Sequence, residues 1–426
     1  MKKILVGAST VLLATLWLLL GKPFPARHIF WSDDQPRGIL LQPDIKVSGC
    51  GEEEDNRGEQ GKISKNRRVL FVGDTGFGES YQRWMPQVDG VNFLDAMGYD
   101  YSLEKLTPLL HQADLVIANL ETPIADLSVS PLSGQKKYIH RGDIHKTPET
   151  LHRHNIFAVS LANNHTLDYG VEGLRQTLKA LEENGIAWFG AGLSEPQAFK
   201  PLYSELTIGG NSFQLVVVAG FEYRWNYRMA YKFYAGGEAG GVNCWTRKKA
   251  ATQLRAIRAE NRHAFIVAFP HWGRNYRFKT REQKKLAHAL IDAGADLVIG
   301  HGAHIVQEIE SYRGRWILYS LGNFVFNSPG RYQKENAHPF SLAARLDVCR
   351  MENRFVLRLR LYPIFSDNLV TNYQPRLVTE EERNRVQRIL LERSPNPRRL
   401  RWELGVGEDE VGHFLTLNVG VLDNSH

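Results

Sequence analysis

The sequence predicts an α/β domain, and three observations point to it. Apolar runs of four to seven residues recur along the chain, stretches with helical periodicity lie between them, and five of the runs give way at once to Asp, Glu, Asn or His. In α/β sheets the functional groups gather just beyond the carboxyl ends of the strands. With 426 residues, 43% of them hydrophobic, the chain can bury a large core in one domain or two. No internal repeat divides it.

The chain opens on Lys2 and Lys3, followed by 17 uncharged residues from Ile4 to Leu20 and closed by Lys22. Such a run is a signal peptide or a membrane anchor. A cut after Ala26 would leave Phe24 where a small residue is required, so an uncleaved anchor is favoured, with the lysine pair inside and the main domain outside the cytoplasmic membrane. Residues 1–21 are assigned to this signal anchor or signal peptide. A lipid-modified Cys50 is set aside, because Asp33, Asp34, Asp44 and Lys46 separate "VSGC" from the apolar run. Residues 22–67 end in "GCGEEEDNRGEQGKISKNR", a charged, glycine-containing stretch that reads as a flexible linker.

The folded domain is expected over 68–345. Its strands are "VLFV" at Val69, "LVIA" at Leu115, "IFAVSLA" at Ile156, "FQLVVVA" at Phe213, "AFIVAF" at Ala264 and "LVIG" at Leu297. Leu174, Leu178 and Leu181 share one helix face that stops at Gly185, and Leu286, Leu290 and Ile291 share another before Gly294. Residues 346–426 are expected to close the same domain. There "FVLRLRLYPI" from Phe355 reads as a half-exposed edge strand guarded by charge, and "TEEERNRVQRILLERS" from Thr379 as an amphipathic helix with acids at its start.

The formal net charge is +7, but Lys and Arg are scattered through stretches such as "TRKKAATQLRAIRAENR" rather than gathered with aromatics. Solvated helix faces are the better reading, and nucleic acid is not expected as a partner. The three cysteines, Cys50, Cys244 and Cys349, form no CxxC pair, which argues against a thiolate metal site and a disulfide framework.

The residues at the run ends are Asp74, Glu121, then Asn163, Asn164 and His165 together, His271, and finally His301 with His304. Each has an ordinary structural role open to it. Asp74 and the asparagines can cap or turn the chain, Glu121 can charge a first helical turn, and His271 before Trp272 can be a packed histidine. Their coincidence at five strand ends favours a metal site. A mixed oxygen and nitrogen set without Cys suits Mn, Fe or Zn, and the number of ligands is enough for two divalent ions about 3.5–4 Å apart. His111, His140, His145, His152 and His154 lack this placement and are left outside the site.

Six motifs, "GDTGFG", "NLETPI", "SLANNHTLDYG", "FPHWGRNY", "GHGAHIVQ" and "YSLGNFVF", follow one another between Val69 and Phe326. In this order they closely resemble the CapA-type poly-γ-glutamate capsule biosynthesis proteins, a branch of the calcineurin-like metallophosphatase superfamily. The resemblance implies a four-layer α/β/β/α metallophosphatase-like sandwich, here behind an N-terminal membrane anchor. It also implies roles. Asp74 resembles the first metal-binding aspartate, Glu121 the bridging carboxylate and Asn164 the amide ligand. His165 would be an acid or transition-state stabiliser that binds no metal. His271 and His301 would hold one ion and His304 the other, with Asn163 and Asp168 supporting the turn.

Two positions depart from the family pattern. Asn275 in "HWGRNY" replaces an acidic residue, and Gly302 and Ala303 in "GHGAH" replace His and Pro. No inferred ligand is lost, but the substrate side changes. Two function classes stay open: a metal-dependent hydrolase acting on a cell-surface polymer, and an accessory or polymer-binding subunit of a capsule synthesis or export complex. The implied partners are the membrane, an anionic polymer such as poly-γ-glutamate and other capsule synthesis subunits. Arg224, Arg228, Arg274 and Arg277 either attract that polymer or are solvated surface.

Overall fold

The computed structural model describes residues 66–423, so the expected anchor and almost all of the expected linker lie outside the described residues. Among the described residues, no helix is long and apolar enough to cross a membrane.

Each apolar run forms a strand: β1 (Asn66–Gly76), β2 (Leu115–Leu120), β3 (Ile156–Ser160), β4 (Asn211–Glu222), β5 (Phe265–His271) and β6 (Leu297–Ile299). Later in the chain come β7 (Asn323–Phe326), β8 (Phe340–Met351), β9 (Arg354–Phe365) and β10 (His413–Asp423). These strands divide between two sheets. In the first, β1, β2 and β3 run parallel, with β8, β9 and β10 added antiparallel on the other side of β1. In the second, β4, β5 and β6 run parallel.

Continuous Val, Ile and Leu runs suit strands covered on both faces, and the side-chain alternation shows what covers each face. Val69, Phe71 and Ile117 of the first sheet meet Val217, Phe265 and Val267 of the second in an inner core. Leu70, Val72 and Val159 point the other way, onto Leu174 and Leu178 of α1 (Gly170–Glu183). On the outside of the second sheet, Val216, Val218 and Ile266 pack on Leu254 of α2 (Arg247–Glu260) and on Leu286 and Leu290 of α3 (Arg281–Asp292). The layers are helix, sheet, sheet, helix.

Two C-terminal helices, α4 (Glu380–Arg393) and α5 (Pro397–Glu403), follow β9. The start of α4 is fixed by a capping box in which Thr379 and Glu382 bond each other's backbone. Val386 and Leu390 of α4 and Leu400 of α5 enter the inner core, and Ser394 between the helices bonds the Ile309 carbonyl at 3.0 Å. Residues 346–423 therefore contribute sheet strands as well as a covering helix, and the expected division at 345 falls inside β8.

The edge-strand expectation for "FVLRLRLYPI" is overturned. β9 is paired on both sides, by β8 and β10. Its arginines do not guard an open edge: Arg360 reaches Asp347 and Asp409, each at 3.0 Å, and lies over the Phe414 ring. Cys244 is a buried free thiol.

Two pairings position the site. The end of β1 pairs in parallel with β7, which sets Asp74 opposite Asn323. A parallel bridge links His271 at the end of β5 to His301 just beyond β6.

Candidate metal centre

The strand ends of the two sheets converge on Asp74. Its Oδ1 accepts from the Asn119 amide at 2.9 Å and lies 3.7 Å from His301 Nδ1, while Oδ2 lies 3.1 Å from His304 Nδ1 and accepts from the Gly302 N–H at 3.2 Å. Asp74 is thus held by donors from both sheets. Burial opposes its charge, but His304, then His301 and Asn119, outweigh burial and hold the carboxyl below its ordinary range.

Glu121, one residue past β2, is fully buried, and no hydrogen-bond donor reaches either of its oxygens. Its Oε1 lies 3.8 Å from His271 Nε2, 3.9 Å from His165 Nε2 and 4.0 Å from His304 Nε2. Burial, followed by the negative charge of Asp74, pushes this carboxyl well above the usual range. His271 is depressed well below the ordinary imidazole value by burial and then by His301, and His301 is lowered by burial to about 4. Both rings are therefore neutral near pH 7, the form that binds metal.

Two sets of potential ligands result: Asp74 with His271 and His301, and Asp74 with Glu121 and His304, the ligand atoms of each set lying within 4.8 Å of one another. His271 and His301 fall in one set and His304 in the other. Asp74 is the carboxylate common to both, and Glu121 Oε1 lies near one histidine of each. Asn164 has its own sign of a missing partner, since its buried Oδ1 meets no donor. Unpaired buried polar atoms are costly, and the three such oxygens on Glu121 and Asn164 fit a cluster completed by cations.

The backbone shapes the cluster. His304 adopts φ +61, unusual for a residue with a side chain, and is held there by Asn323 Oδ1 at 2.8 Å from its Nδ1. Gly302, at φ +99, lies against the His271 ring, so a Cβ there would stand 2.8 Å from His271 Cε1. The departure to Gly at this position is thus tied to where His271 sits. Asn275 is exposed and makes none of the cluster's hydrogen bonds, whereas the next residue, Tyr276, turns inward to place its ring 5.6 Å from that of His304.

His165 stands beside the cluster. Its Nδ1 lies 2.6 Å from Asp168 Oδ2, which as a carboxylate only accepts, so Nδ1 carries the hydrogen and Nε2 faces Glu121. Burial, then the charge of Lys136, holds His165 well below the usual imidazole value. Asn163 fixes the turn, accepting from the His165 N–H at 3.0 Å and donating to Asn119 and to the Leu120 carbonyl.

Four residues outside the expected set complete the arrangement. Lys136 is buried and pairs with Asp168 while donating to the Asn164 carbonyl at 2.6 Å and lying 3.1 Å from His165 Nδ1. His140 stacks on His165 at 3.5 Å between ring centroids with an interplanar angle of 4°, receives Tyr81 at 2.8 Å, and sends its backbone N–H to Asp168 at 2.7 Å. Asn119 and Asn323 orient Asp74 and His304. Asn119 and Asn323 lie inside motifs already visible in the sequence. Lys136 and His140 come from a segment with neither strand nor helix, where no periodicity marks them.

Among the arginines, Arg224 bonds Glu222 at 2.8 Å and the Gly273 carbonyl at 2.6 Å, and its charge is felt at His165, His271 and Glu121. Arg277 pairs with Glu335 at 2.8 Å, and Arg228 and Arg274 are exposed.

Comparison with known proteins places this geometry in context. Residues 68–328 match the family model described as "Bacterial capsule synthesis protein PGA_cap". The chain is 30% identical over 244 residues to the capsule biosynthesis protein CapA of Bacillus anthracis, covering 56% of this chain and 57% of that protein. It is 29% identical over 283 residues to the PGA biosynthesis protein CapA of Bacillus subtilis (strain 168), covering 63% and 65% respectively. A probable polyglutamine synthesis accessory protein of Mycobacterium tuberculosis is 30% identical over 285 residues, covering 65% of this chain and 72% of that protein. The chain thus spans less than two thirds of the length of either Bacillus relative.

Proposed function

Because this chain belongs to the bacterial capsule synthesis protein family of CapA-type proteins, we propose that it serves poly-γ-glutamate capsule synthesis or export and carries a dinuclear centre for hydrolysis of an amide or phosphoester bond. The observation that supports hydrolysis most is the cluster of buried, unpartnered oxygens on Glu121 and Asn164 beside the His165–Asp168 pair. Asp74, Glu121, Asn164, His271, His301 and His304 would hold two divalent cations of Mn, Fe or Zn type. Bound there, the cations would supply Lewis acidity and a water ionised near neutral pH. His165 presents its unprotonated Nε2 to the reacting side, where it takes a proton from the attacking water and passes it to the leaving group, and Asp168 fixes its tautomer. Arg224 places a positive charge beside an anionic substrate.

The second reading is an accessory subunit that holds polymer at the same centre without turnover. The word "accessory" in the printed name of the Mycobacterium relative favours it. His165→Asn separates the two, because the Asn amide keeps a donor toward Asp168 and removes Nε2. For a hydrolase, turnover of a phosphodiester or γ-glutamyl substrate falls about 10²–10⁴-fold with metal content unchanged, while His271→Ala loses turnover together with about one of the two ions. Normal capsule polymer in His165→Asn together with its loss in His271→Ala establishes the accessory role instead.

Anchoring by residues 1–21, with the domain outside the cytoplasmic membrane, belongs to the same proposal. N-terminal sequencing of membrane-extracted protein checks it, and a mature chain starting beyond residue 21 removes the anchor.

A further inference from the structure

The C-terminal helices carry a surface that the metal centre does not use. Trp402 on α5 is 91% exposed, while Leu400, two residues earlier, is 1% exposed and packed in the inner core. The helix is therefore pinned, and its indole stands outward on a fixed support. Arg398 and Arg401 line one hollow with Trp402 and Pro397, and a second hollow continues past Arg401 and Pro397 to Arg388 and Leu391 of α4.

Neighbouring arginines have partners: Arg399 bonds Glu403 at 2.8 Å and Arg383 bonds Glu380 at 3.1 Å. Among the described residues, Arg388, Arg398 and Arg401 pair with no carboxylate within 4.0 Å. The guanidinium groups of Arg398 and Arg401 thus flank one exposed indole, and Arg388 lines the adjoining hollow, which Glu392 shares. The amphipathic ring of an indole favours the headgroup level of a bilayer. Guanidinium groups bind phosphate through paired N–H donors.

We propose that this face of α4 and α5 docks on an anionic lipid bilayer, with Trp402 at the headgroup level and Arg388, Arg398 and Arg401 on lipid phosphates. A soluble polyanion would satisfy the arginines but give the indole no apolar surroundings, so the combination favours lipid. The docking is independent of residues 1–21 and sets how the domain is oriented on the membrane.

The test uses the full chain on vesicles of phosphatidylcholine alone and of phosphatidylcholine mixed with phosphatidylglycerol, reading amide hydrogen exchange over residues 396–404 by mass spectrometry. An N-terminal tether would act on both vesicle types, so their difference reports the face itself. Exchange should slow on the mixed vesicles only. Removing each arginine, in Arg398→Ala and Arg401→Ala, should weaken docking about fivefold (about 1 kcal/mol), and Trp402→Ala should weaken it further. Metal content and melting temperature should stay unchanged in all three, because these side chains are exposed. Equal exchange on both vesicle types overturns the proposal. So does protection by soluble poly-γ-glutamate without vesicles, which would make the face a polymer site.

Discussion

Lys136 brings its ammonium into the protein to meet the Asp168 carboxylate, the Asn164 carbonyl and the His165 ring. Burial pushes Lys136 down and Asp168 up, each toward its neutral form, and their contact opposes both shifts. Lys136→Met leaves a buried carboxylate without its cation, and breaking such a pair costs about 3–5 kcal/mol. Adding Asp168→Asn should recover part of that loss. A double-mutant cycle by urea unfolding checks this, and additive losses would show that the two groups are not coupled. A second residue sets the acid limb of stability. His338 is lowered by burial to about 4 from an ordinary 6.5. Between those values the unfolded chain binds a proton that the folded chain refuses, so stability falls as pH drops from about 6.5 to about 4. His338→Phe should flatten this limb in chemical unfolding at successive pH values, while the share due to His301 remains.

At the scale of elements, strands were legible wherever a run is buried on both faces, because Val, Ile and Leu then follow one another without interruption, as in β1 and β5. β9 was misread for a physical reason. Its alternating arginines look like an exposed face, yet Arg360 is neutralised by Asp347 on the neighbouring strand and by Asp409, 49 residues later, a pairing that only the fold creates. The site divides in the same way. Ligands at strand ends could be found because a strand fixes where its end points, whereas His140 reaches His165 through an irregular segment and was set aside. The C-terminal helices give an element-scale prediction. Leu390 of α4 is 1% exposed within the inner core, so Leu390→Ala should cost about 2–5 kcal/mol through lost burial and a residual cavity. Denaturant unfolding measures it, and a loss below about 1 kcal/mol would mean that α4 only covers the sandwich instead of filling it.

Across the whole molecule, the candidate centre is a joint between the two sheets. Asp74 and Glu121 come from the first sheet and its strand ends, and His271 and His301 from the second. Without cations, burial and then the negative charge of Asp74 hold Glu121 toward its protonated form, because two carboxyls share one dry space. Cations bound there would remove that conflict and tie the sheets together, and a ligand that binds only the folded state stabilises it by about 4 kcal/mol at a thousandfold excess over its Kd. Because Asp74 belongs to both ligand sets while His271 and His304 each belong to one, the sets make distinct demands on stoichiometry. Elemental analysis of the full chain should find close to two ions in the unaltered protein, about one in His271→Ala and in His304→Ala, and close to none in Asp74→Asn. The cation-dependent rise in melting temperature should fall in the same order. Loss of both ions from His304→Ala would mean that the two positions fill only together, and an ion retained by Asp74→Asn would show that Glu121, not Asp74, is the carboxylate that joins them.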